Sequence, residues 1–412
     1  MEFSMNFDGV RNNLCPVRSL SPAEGHYFFG YYDLMAYSPD GRRHLCGKLP
    51  FDGVLNTPGD VMEFGWLEDG EFTKLFETNC WNFQQGILGQ YRWNGGNVIF
   101  YNIYDEAAGC YRTVRHDLDT GERRYSSMGC ASVSRDGRYG LGVNFSRIWD
   151  FRPGYGYPNY RDPYYDIPQP KEDGVFLCSF EDGTTRQLID CETLGRLYPL
   201  EGRESAKMVV NHITFNPSGT RYLFLYRNFR KPEDTVPWMT SLFVGDLHGN
   251  VKLIFDEMVS HYWWEDDVHM IAYCRPKGER NGVWRVNMVD GTYEELGGED
   301  GGSLRRLTNA WDIHCSLSPD GRYLVGDDYP NKLSDGYRNI FIHEMATGRT
   351  EILLSTFSPH PDDPVHGVPN GTKEARCDLH ARWNRDGTRL SFDAVARGHR
   401  EIYEVDMTKM PF

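Results

Sequence analysis

Short apolar runs separated by turn sequences recur along the whole chain. Seven turn segments begin at residues 38, 93, 134, 216, 264, 318 and 384 and read SPDG, WNGG, SRDG, NPSG, WEDD, SPDG and NRDG. An Asp-Gly or Ser-Gly pair supplies the positive φ that a tight hairpin requires. A run such as RYLFLYRN follows each turn, and a further run such as EIYEVDM comes later in the repeat. Four short strands per turn segment are typical of a propeller blade. The sequence therefore predicts an all-β fold, a seven-bladed β-propeller.

The two ends of the chain predict how this propeller is completed. Only 25 residues follow Gly387, which is room for two or three strands. The segment Cys15–Leu20 precedes the first turn and is expected to supply the missing strand of the last blade. Such a closure leaves no exposed edge strand to pair with other chains. We therefore predict that residues 1–412 form a single propeller domain.

Four histidines occupy the same place in these repeats. His212, His261, His314 and His380 each stand about four residues before a turn. Equivalent positions of a propeller converge near its axis, so the four imidazoles are expected to face one site. A group of inward-facing histidines favours metal or proton chemistry, because imidazole titrates near neutral pH and binds divalent ions. The alternative is that each histidine is a hydrogen-bonded spacer in a tight interior.

A metal site is predicted at the last two of these histidines. Asp378 and His380 are two residues apart, and residues with this spacing on a strand project to the same side. His314 from the neighbouring blade would be the third ligand. Two histidines and a carboxylate suit a divalent ion such as Mn²⁺, Fe²⁺ or Zn²⁺.

Further polar residues near the same positions are predicted to bind substrate. Arginine can hold a carboxylate through two hydrogen bonds, although each arginine could equally be a solvated surface charge. The first blade places a histidine and a tyrosine, within HYFFGYYD, near the position of the repeated histidines. The predicted substrate-binding residues are Arg227, Arg230, Arg382, His26 and Tyr32.

Composition narrows the possible partners. The chain has 40% hydrophobic residues and a net charge of −15. That charge argues against a nucleic-acid partner, which would require a basic face.

The first 25 residues contain no signal-peptide core, and no apolar run approaches the roughly 18 residues of a membrane span. The ten cysteines include no C-x-x-C pair, so free thiols are expected. We expect a cytoplasmic protein without membrane partners; the oligomeric state stays open.

These motifs resemble those of the oligogalacturonate lyases, cytoplasmic seven-bladed propellers that act on short pectic fragments. The resemblance rests on GHYFFGYYD with the first SPDG, on DIHCSLSPDG and on CDLHARWNRDG. It implies a Mn²⁺ ion bound by His314 and His380, and it implies His261 as the Brønsted base. Asp378 stands where the family has a further ligand histidine, and Ala375 where it has a glutamine. The family's substrate-binding arginine has no match near Thr240.

The resemblance implies β-elimination from a uronate. A histidine removes the proton at C5 while a cation neutralises the adjacent carboxylate. We expect His261 to be this base, and His212 to position the acidic oligosaccharide substrate. Hydrolysis would require two opposed carboxylates, and the sequence shows no such pair.

Two other functions remain open. One is another carbohydrate-active propeller, either a glycoside hydrolase or a lyase for rhamnose–glucuronate or ulvan-type linkages. The other is a non-catalytic, TolB-like binding scaffold.

Overall fold

The computed structural model describes residues 2–199, 206–229, 239–297, 302–308, 312–329 and 335–412. The first strands in chain order are β1 Val10–Arg11, β2 Val17–Ser19, β3 His26–Phe28, β4 His44–Leu49, β5 Met62–Glu68, β6 Glu71–Thr78, β7 Gln90–Tyr91, β8 Val98–Asp105, β9 Cys110–Asp117, β10 Arg123–Tyr125, β11 Cys130–Val133, β12 Tyr139–Gly142, β13 Gly174–Ser179 and β14 Thr185–Asp190. The remaining strands are β15 Met208–Phe215, β16 Arg221–Asn228, β17 Thr240–Asp246, β18 Val251–Phe255, β19 Val259–Trp264, β20 His269–Cys274, β21 Gly282–Asn287, β22 Tyr293–Glu295, β23 His314–Leu317, β24 Tyr323–Asp327, β25 Tyr337–Glu344, β26 Thr350–Phe357, β27 Arg382–Trp383, β28 Arg389–Ala394 and β29 Glu401–Asp406. The α-helices are α1 Phe145–Phe151, α2 Cys191–Leu197 and α3 Gly302–Thr308, and 3₁₀ turns lie at Pro153–Tyr155, Lys373–Ala375 and Met407–Lys409.

The described strands form seven sheets, as many as the sequence has turn segments. The strand orders are β3-β4-β5-β6, β10-β9-β8-β7, β11-β12-β13-β14, β15-β16-β17-β18, β19-β20-β21-β22, β1-β26-β25-β24-β23 and β2-β29-β28-β27. Six sheets therefore have four strands, and β1 adds a fifth strand to the remaining one. This agrees with the four strands per repeat that the sequence predicts.

Each predicted turn segment connects two strands that are consecutive along the chain and adjacent in one sheet. In the turn at residues 38–41, Gly41 has a φ of +70°, and its N–H donates to the carbonyl oxygen of Ser38 at 2.9 Å. The Ser38 hydroxyl donates to the Asp40 carboxylate at 2.6 Å. The same serine–aspartate bond recurs in the turns that begin at residues 134 and 318. The Ser-x-Asp-Gly spacing therefore closes these hairpins through side-chain hydrogen bonds as well as glycine's tolerance of positive φ.

The described chain divides into two compact units. The first comprises Met1–Tyr91, His261–Trp263 and Glu295–Phe412, and the second comprises Arg92–Ser260 and Trp264–Glu294. In the first unit, β2 lies antiparallel to β29, with Val17 opposite Val405. The strand expected near Cys15–Leu20 is thus observed in one sheet with the last three strands of the chain.

The second unit contains the Tyr- and Pro-rich segment that follows β12. Asn144 caps the N-terminus of α1 by accepting a hydrogen bond from the backbone N–H of Arg147. The buried guanidinium of Arg147 pairs with Asp162 at 2.9 Å and donates to the backbone carbonyl oxygens of Met208 and Pro168. A buried charge is tolerated when it is paired and hydrogen-bonded in this way. This arginine therefore fixes a long connection that has no strands of its own.

All ten cysteines lie within the described residues, and all are free thiols. Among the described residues, no helix is long and apolar enough to cross a membrane.

We predict that the N-terminal strand contributes measurably to stability. Val17 is fully buried in the core of the first unit, so Val17→Ala should lower the free energy of unfolding by about 1–3 kcal/mol. Denaturant unfolding would measure the change. The matched control is Val61→Ala, at a position that is 48% exposed, where the expected change is within about 0.5 kcal/mol. Equal effects of the two substitutions would contradict a structural role for β2.

Candidate functional site

Three of the four repeated histidines meet in the first unit. His314 begins β23, His261 lies within β19, and His380 lies two residues before β27. The ring centroids are 4.1 Å apart for His261 and His314 and 4.3 Å apart for His314 and His380. All three side chains are buried. The equal phase of these histidines in the repeats therefore corresponds to real proximity.

The backbone that carries His380 differs from the prediction. Asp378 and His380 do not lie on a strand, because β27 begins only at Arg382, and the inference from strand alternation was wrong. His380 has a φ of +46°, a left-handed conformation that is uncommon for residues other than glycine. Its backbone N–H donates to Asp327 at 2.8 Å, which holds the residue in this conformation. A left-handed residue in an irregular segment, rather than strand periodicity, thus brings His380 to the cluster.

Asp327 is one of the site residues that the sequence analysis missed. Its Oδ1 accepts the backbone N–H of His314 at 3.1 Å and the ring Nδ1–H of His314 at 2.8 Å, while Oδ2 accepts the N–H of His380. A carboxylate behind a histidine fixes the tautomer and the ring orientation of a metal ligand. The signal that points to Asp327 is the register of two neighbouring strands, because Asp327 on β24 lies directly opposite His314 on β23.

In His314 and in His380, Nδ1 is hydrogen-bonded and Nε2 bears a lone pair. The Nδ1 of His380 is 2.7 Å from the carbonyl oxygen of Gly30, which only accepts, so Nδ1 carries the proton and Nε2 does not. The Nε2 of His380 is buried and has no hydrogen-bond partner among the described residues. Burial lowers the pKa of His380 well below its usual range, and the neighbouring His314 lowers it further. The pKa of His314 is likewise lowered, first by burial and then by His261. Both imidazoles are therefore neutral and available as ligands.

Asp378 supplies an oxygen beside these nitrogens. One ligand atom from each of His314, Asp378 and His380 lies within 4.8 Å of the others. The Asp378 carboxylate is in ion-pair contact with Arg376 at 2.7 Å and Arg338 at 3.2 Å, but neither of its oxygens has a hydrogen bond of acceptable geometry among the described residues. Burial opposes its ionisation, yet the two guanidiniums outweigh burial and hold its pKa well below the usual range.

This donor set fits a divalent metal ion. Two neutral imidazoles and one ionised carboxylate are the ligands that Mn²⁺, Fe²⁺ and Zn²⁺ accept. The unpartnered Nε2 of His380 points to a ligand, because a buried polar atom without a partner is costly. The residues predicted to bind metal are thus grouped as a metal site requires.

His261 stands beside this group and has its own carboxylate partner. Its Nδ1 is 2.9 Å from Asp312 Oδ1, which leaves Nε2 as the basic nitrogen of the neutral ring. The hydroxyl of Tyr329 lies 3.4 Å from that Nε2 and 3.1 Å from the Nε2 of His314. Asp312 and Tyr329 were also missed from the sequence, although Asp312 stands two residues before His314.

Tyr32, Arg382 and His26 lie in the same unit, but their observed contacts are structural. The Tyr32 hydroxyl donates to the backbone carbonyl oxygen of Tyr262 at 2.9 Å and accepts its N–H at 3.1 Å. The buried guanidinium of Arg382 binds Asp393 and the carbonyl oxygen of Gly30, so it supports the acceptor that orients His380. His26 accepts the backbone N–H of Arg400 at 3.3 Å. Contact of these three residues with substrate stays a prediction.

The other predicted residues belong to the second unit or lie outside the described residues. His212 is buried, has a φ of +48° and packs edge-on against Tyr155. Arg227 is buried and donates to Asn211, Thr240 and the carbonyl oxygen of Val259. Arg230 lies outside the described residues. A catalytic or substrate-binding role for these three stays a prediction.

Four of the tyrosines of the long connection divide into two pairs. Tyr155 and Tyr157 are fully buried and pack inside the second unit. Tyr160 and Tyr164, with Tyr111, line a cavity of about 220 Å³ in that unit, and the rings of Tyr111 and Tyr160 stack at 4.8 Å. Packing therefore accounts for the first pair, while the second pair borders open space.

We predict that the buried histidines make the metal-free protein less stable in mild acid. An unfolded histidine binds a proton below about pH 6.5, whereas the lowered pKa of folded His314 keeps it neutral there. The free energy of unfolding should therefore be highest above that pH. It should decrease as the pH falls, by up to about 1.4 kcal/mol per pH unit for this residue. Chemical unfolding in chelator between pH 7 and 5 should show a shallower slope for His314→Gln than for the parent. His248→Gln, on a surface turn, should keep the parent slope, and a parental slope in His314→Gln would contradict the prediction.

Solved structures show which fold this geometry belongs to. No protein-family model matches the chain, and no curated protein matches it in sequence. An oligogalacturonate lyase in complex with manganese is similar at 15% identity, with 98% of this chain and 96% of that chain covered and a TM-score of 0.64. The oligogalacturonate lyase of Vibrio parahaemolyticus is similar at 16% identity, with the same coverage and a TM-score of 0.63. A puromycin hydrolase mutant is similar at 12% identity with a TM-score of 0.50, but only 53% of that chain is covered.

These likenesses are too distant in sequence to carry an activity, but they show the fold along nearly the whole chain. The predicted resemblance to the oligogalacturonate lyases is confirmed as a structural one. The chain has the seven-bladed β-propeller fold that its repeats predicted.

Proposed function

We propose that this protein is a metal-dependent lyase that cleaves uronate-containing oligosaccharides by β-elimination in the cytoplasm. The observation that carries the proposal is the convergence of His261 with the metal-compatible group His314, Asp378 and His380 in one unit. The likeness to the oligogalacturonate lyases supports the same chemistry, and one of those lyases was solved with manganese.

His261 is the proposed base. Its Nδ1–H donates to Asp312 at 2.9 Å, so the carboxylate stabilises the imidazolium that forms when Nε2 takes a proton. Nε2 would accept the proton from C5 of the uronate. The electron pair of that C–H bond would form the C4–C5 double bond as the C4–O4 bond breaks, and the leaving oxygen would take up a proton from water. The Tyr329 hydroxyl lies within reach of the same nitrogen and can orient it.

His314, Asp378 and His380 are the residues that would hold a divalent ion, and Asp327 fixes both histidines from behind. When bound, such an ion supplies positive charge that offsets the negative charge developing on the substrate's carboxylate. The neutral state of the two imidazoles, enforced by burial, keeps them competent as ligands.

We predict that His380→Ala removes stoichiometric metal. The loss of one imidazole leaves two ligands from this chain, and metal analysis after dialysis, together with calorimetric titration of Mn²⁺, would measure the effect. The control is His269→Ala, because His269 belongs to a second, more exposed group with Glu265 and Asp266 that could also hold an ion. Metal lost from His269→Ala but retained by His380→Ala would contradict the proposed site.

We predict that His261→Ala loses turnover but keeps metal. Loss of a positioned base typically lowers the rate about 10²–10⁴-fold, and the metal-ligand set is untouched. Asp312→Asn, which removes the carboxylate but keeps the ring, should give a smaller loss. The assay follows the ultraviolet absorbance of the unsaturated uronate product from oligogalacturonates and other uronate oligosaccharides with added Mn²⁺. Activity of His261→Ala within a few-fold of the parent would show that another residue is the base.

The same assay separates the proposal from its alternatives. Release of reducing ends without the ultraviolet product would indicate a glycoside hydrolase. Stoichiometric metal without turnover on any uronate oligosaccharide, or the absence of metal binding, would favour a binding scaffold.

A further inference from the structure

We propose that a cavity in the first unit binds a sugar-sized anion, one that carries a phosphate or a carboxylate group. The cavity has a volume of about 390 Å³, which is within the range of pockets that bind small molecules. None of the described residues that line it belongs to the group formed by His261, His314, Asp378 and His380. It is therefore a second site, and it does not depend on the proposed lyase activity.

Two sheets of the first unit supply the charged residues of this cavity. Arg18, Arg389 and Glu404 come from strands β2, β28 and β29 of one sheet. Arg42 precedes β4, and Glu68 ends β5, in the sheet β3-β4-β5-β6. The charged side chains are thus placed by regular strands and by a tight turn rather than by a long loop.

Glu404 is a buried carboxylate that two arginines share. Its Oε2 accepts a hydrogen bond from Nε of Arg18 at 2.8 Å, and its Oε1 accepts one from the hydroxyl of Tyr37 at 2.9 Å. Nη1 of Arg389 is 3.6 Å from the same Oε1, which is too far for a hydrogen bond. Among the described residues, the guanidinium of Arg389 makes this ion pair but no hydrogen bond, and its side chain is 29% exposed. Its donors are therefore available to a ligand.

A second carboxylate at the cavity is shared in the same way. Glu68 pairs with Nη2 of Arg42 at 2.9 Å and with Nε of Arg43 at 3.2 Å. At these contacts between described residues, four guanidiniums are matched by two carboxylates. Glu2 and Asp69 also line the cavity, but both are exposed, and water and salt screen exposed charges. The shared carboxylates thus leave an excess of positive charge, which an anionic ligand would offset.

The lining of the cavity indicates the chemical class of this ligand. A guanidinium binds carboxylate and phosphate groups through paired hydrogen bonds, and Arg389 offers such donors beside the buried Glu404. Leu20 and Leu67 add apolar surface to the wall, which a bare inorganic anion would not use. A phosphorylated or carboxylated monosaccharide has both the charged group and a body that can contact this surface.

Calorimetric titration of the full chain, together with its melting temperature, tests the site. Chelator is present throughout, so that Mn²⁺-dependent binding does not contribute. Galactose 1-phosphate and galacturonate carry the two kinds of anionic group on related sugars. At least one of them should bind and raise the melting temperature, because a ligand that binds the folded state stabilises it. Galactose, which has no charge, should do neither.

Arg389→Met should weaken the binding of that anion by on the order of tenfold, the usual contribution of a hydrogen bond between charged groups. The substitution leaves Glu404 bonded to Arg18 and Tyr37, so the variant should fold. Arg389→Lys keeps the charge but not the paired donors, and it should weaken binding by a smaller factor. The matched control is Arg322→Met, because Arg322 pairs with Glu344 at the surface of the same unit, and it should keep the parental affinity.

Binding of only one of the two anions would support the site and identify the group that it recognises. Failure of both anions to bind the parent would overturn the proposal, and so would equal binding of galactose. Parental affinity in Arg389→Met would overturn it as well, since the anion would then bind elsewhere. If Arg389→Met does not fold, parental affinity in Arg389→Lys is the result that would overturn the proposal.

Discussion

The carboxylate of Asp327 is the group on which the geometry of the site depends. It is completely buried and accepts hydrogen bonds from the ring and backbone of His314 and from the backbone of His380. A buried ionised group is tolerated only where donors surround it. Burial raises the pKa of Asp327, while Arg338 and the backbone N–H of His380 oppose that rise by stabilising its charged form. One side chain on β24 thus joins β23 to the irregular segment before β27.

This arrangement also explains why a strained backbone persists at His380. A left-handed φ in a residue other than glycine costs free energy and is retained where the surroundings enforce it. Asp327 binds the N–H of His380, and the carbonyl oxygen of Gly30 accepts its ring proton while also contacting Arg382. With Nδ1 engaged in this way, Nε2 is the ring nitrogen that is buried without a hydrogen-bond partner among the described residues. The strained backbone of His380 is therefore linked to the placement of its Nε2, the proposed ligand atom.

The repeat carried enough information to predict the fold and part of the site. Each Ser-x-Asp-Gly or related turn forms locally, from residues a few positions apart, so hairpin positions and the number of sheets can be inferred without tertiary knowledge. The equal phase of His261, His314 and His380 in the repeats carried over into proximity, although His380 lies in an irregular segment and not on a strand. The roles of Asp327 and Tyr329 could not be inferred in this way. Both depend on side-chain contacts between strands, and DDYP at residues 327–330 has the composition of an exposed loop.

Asp378 shows why the chemistry of a site does not follow from its ligand residues alone. The sequence suggested that a carboxylate at this position makes the metal site richer in oxygen. The structure adds Arg338 and Arg376 to the same carboxylate, which changes the electrostatic balance. A neutral histidine at this position would remove the carboxylate that both guanidiniums contact, whereas an aspartate pairs with them and remains ionised. The Asp378 carboxylate and the two guanidiniums therefore form one electrostatic unit beside His314 and His380.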